Sequence, residues 1–64
     1  MIINNIRKLR KEKKITMLEL SQKAGIAEPT VRLAEREILR VKMDTLSKIA
    51  TALEVRIKDL FDEM

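Results

Sequence analysis

The fold of this 64-residue chain is decided by residues 16–31, TMLELSQKAGIAEPTV, which contain two helix signals separated by a turn. Thr16 and Glu19 have the spacing of a capping box, in which each side chain satisfies a free backbone N–H at a helix start. Gly25 suits the left-handed residue that closes a helix. Pro29 fits the first turn of the next helix, where its missing N–H costs nothing. The stretch therefore predicts two short helices joined by a tight turn.

The rest of the chain also has helical spacing, with apolar residues recurring every three or four positions on both sides of this stretch. The chain contains one Gly and one Pro, which favours helices joined by short turns. We predict an all-α fold, a single domain over residues 1–64 with five short helices and no paired strand. The predicted helices cover about residues 4–13, 16–24, 28–36, 43–53 and 57–62.

The predicted core consists of the apolar residues that face inward at this spacing. A domain of this size buries only about 60% of the surface that its unfolded chain exposes, so each core residue matters. The set is Ile6, Leu9, Leu20, Ala24, Ile26, Val31, Ala34, Leu46, Ile49, Ala50, Leu53 and Leu60, with Phe61 at its margin.

Composition argues against several classes of site. The chain has no Cys and no His, so neither a disulfide nor an ordinary zinc site is expected. Ser21 and Ser47 have no His to activate them, and no glycine-rich phosphate loop occurs, so we expect no enzyme, no cofactor and no small-molecule ligand. Asp59, Asp62 and Glu63 share one side of the last predicted helix, where a solvated acidic tail is favoured over a metal site.

Charge is distributed unevenly along the chain. Fourteen Lys and Arg residues stand against ten acidic residues, which gives a formal net charge of +4. Residues 1–14 hold six basic residues and one acid, a balance of +5, whereas residues 43–64 hold three and five, a balance of −2. A basic patch favours a polyanionic partner, although a solvated charged helix is the alternative. No apolar run approaches the roughly 18 residues of a membrane span, so no membrane contact is expected.

Residues 16–36 also have the spacing of a helix-turn-helix, in which the second helix enters the major groove of DNA and the first lies across the backbone. Gly25 lets the chain reverse sharply, and the small Ala24 lets the two helices approach. On this pattern alone, an ordinary helical hairpin inside a bundle stays open as the alternative.

Seven segments between Ile3 and Phe61 together carry a resemblance to a known family. They are IRKLR (6–10), the capped helix and turn (16–26), TV (30–31), ER (35–36), DTL (44–46), IATALEV (49–55) and KDLF (58–61). In this order and spacing, the chain resembles the phage repressor and Cro, or XRE-type, helix-turn-helix family. The resemblance implies a lambda-repressor-like fold and a transcriptional regulator, commonly a repressor, that binds double-stranded DNA as a homodimer on a two-fold symmetric operator. It also implies a prokaryotic or phage-encoded protein in the cytoplasm.

The resemblance assigns roles to particular positions. Bases would be read from the start and outward face of the third helix, at Glu28, Pro29, Arg32 and Leu33. Phosphates would be held by the start of the second helix, by the residues at and after the end of the third, and by one arginine of the first. These phosphate-binding residues are Arg10, Thr16, Met17, Arg36, Arg40 and Lys42. Arg10 would also pair with Glu35; a surface pair worth about 0–1 kcal/mol is the alternative to a buried one.

Five residues depart from the family pattern near the presumed DNA surface. Met17 stands where the family usually has Gln, so the phosphate contact there falls to the backbone N–H. Ala27 replaces the usual Ser or Thr cap of the third helix. Glu37 stands where a Gly normally ends that helix, so the helix is expected to run on or to end differently. Leu33, like Pro29, is a poor hydrogen-bonding partner for a base edge.

Two alternatives concern apolar residues in the second half of the chain. A dimer is expected near the last predicted helix, through Val55, Ile57, Phe61 and Met64, but the same residues could instead complete the core of a monomer. A second functional interpretation is a protein-interaction module, in which the recognition face binds another protein instead of DNA. Its support is the apolar set beside Leu33, which consists of Ile38, Leu39, Val41 and Met43.

Overall fold

The computed structural model describes all residues 1–64 and contains four α-helices, two 3-10 turns and a two-stranded sheet. Their order is β1 (Ile2–Asn4), α1 (Ile6–Glu12), α2 (Met17–Ala24), α3 (Glu28–Arg36), a 3-10 turn (Ile38–Arg40), α4 (Met43–Leu53), a second 3-10 turn (Ile57–Leu60) and β2 (Phe61–Glu63). None of the helices has the length and apolar character that crossing a membrane requires.

The middle of the fold follows the capping signals of the sequence. The Glu19 N–H donates to Thr16 Oγ1 at 3.0 Å and the Thr16 N–H donates to Glu19 Oε1 at 2.8 Å, which completes the predicted capping box. Gly25 has φ 71° and ψ 34°, the left-handed conformation that closes α2. The predicted bounds of the second, third and fourth helices are confirmed.

The two ends of the chain contradict the prediction of an all-helical fold without strands. β1 and β2 pair antiparallel, with Ile2 opposite Glu63 and Asn4 opposite Phe61. Each strand has three residues, too few to show an alternating pattern, and the pairing joins the two termini. No local sequence pattern predicts such a pairing, because its stability comes from the packing of residues that are distant in sequence.

The same pairing explains two errors in helix bounds. The first helix was predicted from about residue 4, but Asn4 belongs to β1 and its Oδ1 accepts the Ile6 N–H at 3.0 Å, so α1 starts at Ile6. The fifth helix was predicted to reach about residue 62. Only a 3-10 turn forms there, and Phe61 is extended at φ −154° and ψ 156° because it already lies in β2.

The core lies where α2, α3 and α4 pack on α1 and on the second 3-10 turn. Its ten buried apolar residues are Ile6, Leu20, Val31, Ala34, Ile38, Leu46, Ile49, Ala50, Leu53 and Leu60. Leu9, Ala24 and Ile26 were predicted in the core but are only half-buried at its edge, where Phe61 was expected and also lies. Ile38 was missed because α3 ends at Arg36, after which Glu37 leaves the helical conformation and turns Ile38 inward.

Candidate nucleic-acid interface

α3 presents one face outward because its apolar residues Val31 and Ala34 are fully buried on the other. No side chain caps its start: Ala27 offers none, and the Thr30 N–H bonds instead to the Ala27 carbonyl at 3.0 Å. The outward face carries Glu28, Pro29, Arg32, Leu33 and Arg36. Pro29, Arg32 and Arg36 are exposed, whereas Glu28 and Leu33 are partly covered. Thus the four residues assigned to base reading lie together on one face.

Arg10 of α1 and Glu35 of α3 form a bidentate pair behind this face. Arg10 Nε donates to Glu35 Oε2 at 2.6 Å, and Nη2 donates to Oε1 at 3.2 Å. A third donation, from Nη1 to the Ile15 carbonyl at 2.9 Å, adds the α1–α2 loop. The two side chains are only 10% and 7% exposed. The pair therefore fixes α3 relative to α1 and the start of α2.

The start of α2 lies beside the same pair. Thr16 is exposed, but its hydroxyl oxygen is already occupied by the Glu19 N–H of the capping box. Met17 is half-buried against the core and supplies no polar side chain. At a helix start the first backbone N–H groups have no intrahelical partner, and they attract anions. At the start of α2, the groups that can bind a phosphate are therefore the backbone N–H groups.

Residues 5–62 match the model of the Cro/C1-type HTH DNA-binding domain. This match spans α1 to α4 and both 3-10 turns, and it includes the helix-turn-helix. The chain belongs to the Cro/C1-type helix-turn-helix DNA-binding family. It is a DNA-binding, XRE-type transcription regulator, and that family is one of regulators rather than of enzymes. No curated protein gave a significant match.

Two solved structures of the regulator SinR are similar to this Cro/C1-type domain. The chain is 32% identical to the N-terminal DNA binding domain of SinR from Bacillus subtilis, with a TM-score of 0.79 over 88% of this chain and 83% of that one. A second structure, of the master regulator for biofilm formation SinR in complex with DNA, gives the same identity, TM-score and share of this chain, and 90% of its own chain is covered.

Two arginines in and after α3 of this Cro/C1-type domain, Arg32 and Arg40, pair with neighbouring carboxylates. Arg32 Nη2 donates to Glu28 Oε1 at 3.3 Å, one turn away on the same helix, and the two side chains are 52% and 38% exposed. Arg40 pairs in the same way with Glu37, at 3.4 Å. Exposed pairs of this kind contribute about 0.3–0.5 kcal/mol, so a nucleic acid can replace them. Lys42, the residue before α4, is exposed and forms no ion pair.

Asn4 is a positioning residue that the sequence analysis missed. Its Nδ2 donates to the carbonyls of Ala34 and Glu35, at 2.7 and 3.0 Å, in the last turn of α3. Carbonyls at a helix end lack intrahelical partners, so Asn4 caps the C-terminal end of α3 from β1. An Asn before a helix is a weak signal by itself, and this role became visible only when the fold brought β1 to α3.

The apolar residues of the second half divide into two groups. Val55, Ile57 and Phe61 are half-buried against the core of their own chain, while Met64 is 79% exposed beside the sheet. In the set proposed as a protein-docking surface, Ile38 is buried and Val41 is half-buried. The exposed members of that set are Leu39, at 80%, and Met43, at 62%.

Proposed function

We propose that this regulator binds an operator in double-stranded DNA sequence-specifically, as a homodimer, and acts by occupying that site. The observation that carries the proposal is the outward face of α3, held in place from behind by the buried Arg10–Glu35 pair. A reading helix must be rigid, because base contacts depend on side-chain position to a fraction of an ångström. The similar SinR structure in complex with DNA supports the same partner for this chain.

Affinity and specificity come from different residues in this proposal. Arg36, Arg40 and Lys42, at the end of α3 and after it, would contact phosphates, which fix the position of a protein without reading sequence. The start of α2, at Thr16 and Met17, would contribute backbone N–H groups. These contacts would place the basic residues at and after the end of α3 on the DNA backbone.

Base reading would rest mainly on Arg32. Its guanidinium can bind guanine bidentately, and Glu28 can accept a hydrogen bond from a cytosine amino group, each worth about 1–3 kcal/mol of discrimination. Leu33 and Pro29 can contact only apolar features such as the thymine methyl group. To read a base, Arg32 must first leave its 3.3 Å contact with Glu28.

A selection from random duplex DNA tests this division of roles. We expect the wild type to enrich one motif and the Arg32→Ala variant to lose preference at one or two of its positions. Lys42→Ala is the matched control, since it removes a charge outside the reading face. It should keep the preferred motif, weaken binding on all sequences alike, and lower the salt slope by about one. An unchanged motif for Arg32→Ala would show that Arg32 reads no base.

A second candidate function, a protein-docking module, is favoured by the exposure of Leu39 and Met43. Two exposed side chains form a small surface, because the neighbouring Ile38 is buried in the core. A salt titration separates the two functions. DNA binding weakens steeply with salt through counterion release, whereas an apolar protein contact does not. Leu39→Ser would weaken a protein contact and leave DNA binding unchanged.

A further inference from the structure

One edge of the terminal sheet has no partner. The sheet contains two strands, so β1 has β2 on one side and no strand on the other. The backbones of Met1 and Met64 exchange two hydrogen bonds, at 3.0 and 2.9 Å. Because such bonds alternate along an antiparallel pair, the N–H and C=O groups of Ile2 and Asn4 point away from β2. The backbone of β1 can therefore accept a further strand.

The free edge of β1 also lacks charged side chains of its own. Proteins commonly protect an edge strand with charges or proline, because an unprotected edge pairs with other chains. β1 consists of Ile2, Ile3 and Asn4, whereas β2 carries Asp62 and Glu63. The edge of β1 is thus better suited than that of β2 to pair with another chain.

A cleft of about 280 Å³ lies between β1 and the segment that follows α3. Two residues of β1 line part of it, and residues 36–40 line the rest. Leu39, which is 80% exposed, provides apolar surface. Arg36 forms no ion pair, and Arg40 shares one exposed carboxylate at 3.4 Å. The cleft therefore combines apolar surface with positive charge that is only partly compensated.

We propose that this cleft binds an extended, acidic peptide segment of another protein, which adds a strand to the free edge of β1. In strand addition, main-chain hydrogen bonds supply affinity and side-chain contacts supply specificity. Arg36 and Arg40 favour carboxylates, which match the two parallel N–H donors of a guanidinium group. Leu39 favours apolar side chains in the same peptide. The charge of the cleft thus selects an acidic peptide over a basic one.

Such a peptide would compete with DNA. Arg36 and Arg40 are also expected to contact phosphates, so carboxylates bound to them would withdraw positive charge from the DNA surface. By linkage, the peptide and the operator would each weaken the binding of the other to the same extent. The peptide would then act as a regulator that releases the domain from DNA. This consequence rests on the proposed function, whereas the peptide site itself does not.

A labelled, end-blocked octapeptide of alternating glutamate and valine is a suitable probe, because it is acidic and its valines favour the strand conformation. One control peptide has lysine in place of glutamate. A second keeps the side chains but has every backbone nitrogen methylated, which removes its hydrogen-bond donors. In fluorescence anisotropy, we expect each control to bind about tenfold or more weakly than the probe.

Amide hydrogen exchange, followed by NMR, locates the peptide on the protein. The N–H groups of Ile2 and Asn4 should exchange more slowly when the probe is bound, because they gain acceptors. The N–H of Ile3 points toward β2 in the alternating pattern, so its exchange should change little. An acidic peptide held only by arginine side chains would not produce this difference along β1.

Arg40→Gln, with Lys42→Gln as its matched control, separates the peptide site from the DNA surface. Both residues are exposed and both are expected to contact phosphates, but Lys42 does not line the cleft. Each variant should therefore weaken binding to a duplex by a similar factor. Only Arg40→Gln should weaken binding of the probe, by about tenfold, as for loss of a charged hydrogen bond.

The outcomes separate this proposal from the proposed function. Equal binding of the three peptides, or unchanged exchange at Ile2 and Asn4, would overturn the peptide site and leave DNA binding untouched. If the two N–H groups are already protected without the probe and lose that protection on dilution, the partner at this edge is a second copy of the chain, and the proposal is wrong.

Competition with DNA has its own outcomes. We expect the probe to displace a bound duplex, and a probe that binds without displacing it would overturn the regulatory role. If the probe binds with the expected protection of Ile2 and Asn4 but the chain binds no duplex, the proposed function fails and the peptide site stands.

Discussion

Arg10 and Glu35 form the one ion pair in the chain whose side chains are both largely buried, at 10% and 7% exposure. Two charges that are buried in this way are tolerated only because each neutralises the other. Removing one partner of a buried pair costs about 3–5 kcal/mol, because the other charge is left uncompensated. In a domain this small, such a loss is a large part of the free energy of unfolding.

We predict that Glu35→Gln lowers the free energy of unfolding by about 3–5 kcal/mol, measured by urea denaturation. Glu28→Gln is the matched control on the same helix, since its pair with Arg32 is exposed and worth about 0.3–0.5 kcal/mol. The double variant Arg10→Met with Glu35→Leu should recover much of the loss, because it leaves no unpaired buried charge. An unchanged stability of Glu35→Gln would assign the pair the small value of a surface pair.

The helices and the strands differ in how far the sequence could predict them. α2 and α3 are set by local chemistry, namely the capping box at Thr16, the left-handed Gly25 and the early Pro29, so their bounds could be derived from residues close in sequence. The contact between β1 and β2 joins the two ends of the chain, and short strands depend on packing rather than on local preference. The helical spacing of the last segment therefore suggested a helix where Phe61 is extended.

The candidate site likewise has one part that the sequence could predict and another that depends on the folded chain. The outward face of α3 follows from helical spacing once Val31 and Ala34 are recognised as the buried side. The contacts of Asn4 could not be predicted in this way, because they depend on elements that only the folded chain brings together. Asn4 reaches the last turn of α3 from β1.

The side chain of Asn4 connects β1 to the last turn of α3, and its removal should lower the stability of the fold. Asn4→Ala removes donors to the carbonyls of Ala34 and Glu35 and the acceptor of the Ile6 N–H. We expect the free energy of unfolding to fall by about 1–3 kcal/mol, since partly buried backbone groups lose their partners. Asn5→Ala is the matched control, because the hydrogen bond from its side chain to Asp62 is exposed; it should cost well under half as much.

The Asn4 prediction also has a functional readout. Loosening the last turn of α3 should weaken DNA binding by Asn4→Ala at a temperature where the variant is still folded, as checked by circular dichroism. Equal losses of stability and of binding for Asn4→Ala and Asn5→Ala would show that the contact with α3 does not position the recognition helix.

The dimensions of the chain favour two copies on one two-fold symmetric operator. The chain measures 30 × 22 × 17 Å along its principal axes. Half-sites of a two-fold symmetric operator lie about 34 Å apart, one turn of DNA. One copy cannot present its reading helix to both half-sites, so a symmetric operator requires a pair of molecules.

The expected contact between copies lies near β2, and Met64 is its most exposed apolar residue, at 79%. Val55, Ile57 and Phe61 add surface that their own core covers only in part. We predict that Met64→Glu lowers the dimer fraction in sedimentation equilibrium, because it places a negative charge in an apolar contact. Leu39→Glu is the matched control, since Leu39 is equally exposed, at 80%, but lies outside this surface. It should leave the dimer fraction unchanged.

Binding to DNA should separate the effect of Met64→Glu on dimer formation from its effect on the recognition of a half-site. Met64→Glu should weaken binding to a duplex with two half-sites far more than binding to a duplex with one, because the second half-site adds affinity only when two copies are joined. The wild type should sediment as a pair of chains on the two-site duplex. If it sediments as a monomer both free and on DNA, Val55, Ile57 and Phe61 serve only the core of their own chain, and the operator is read by independent single copies.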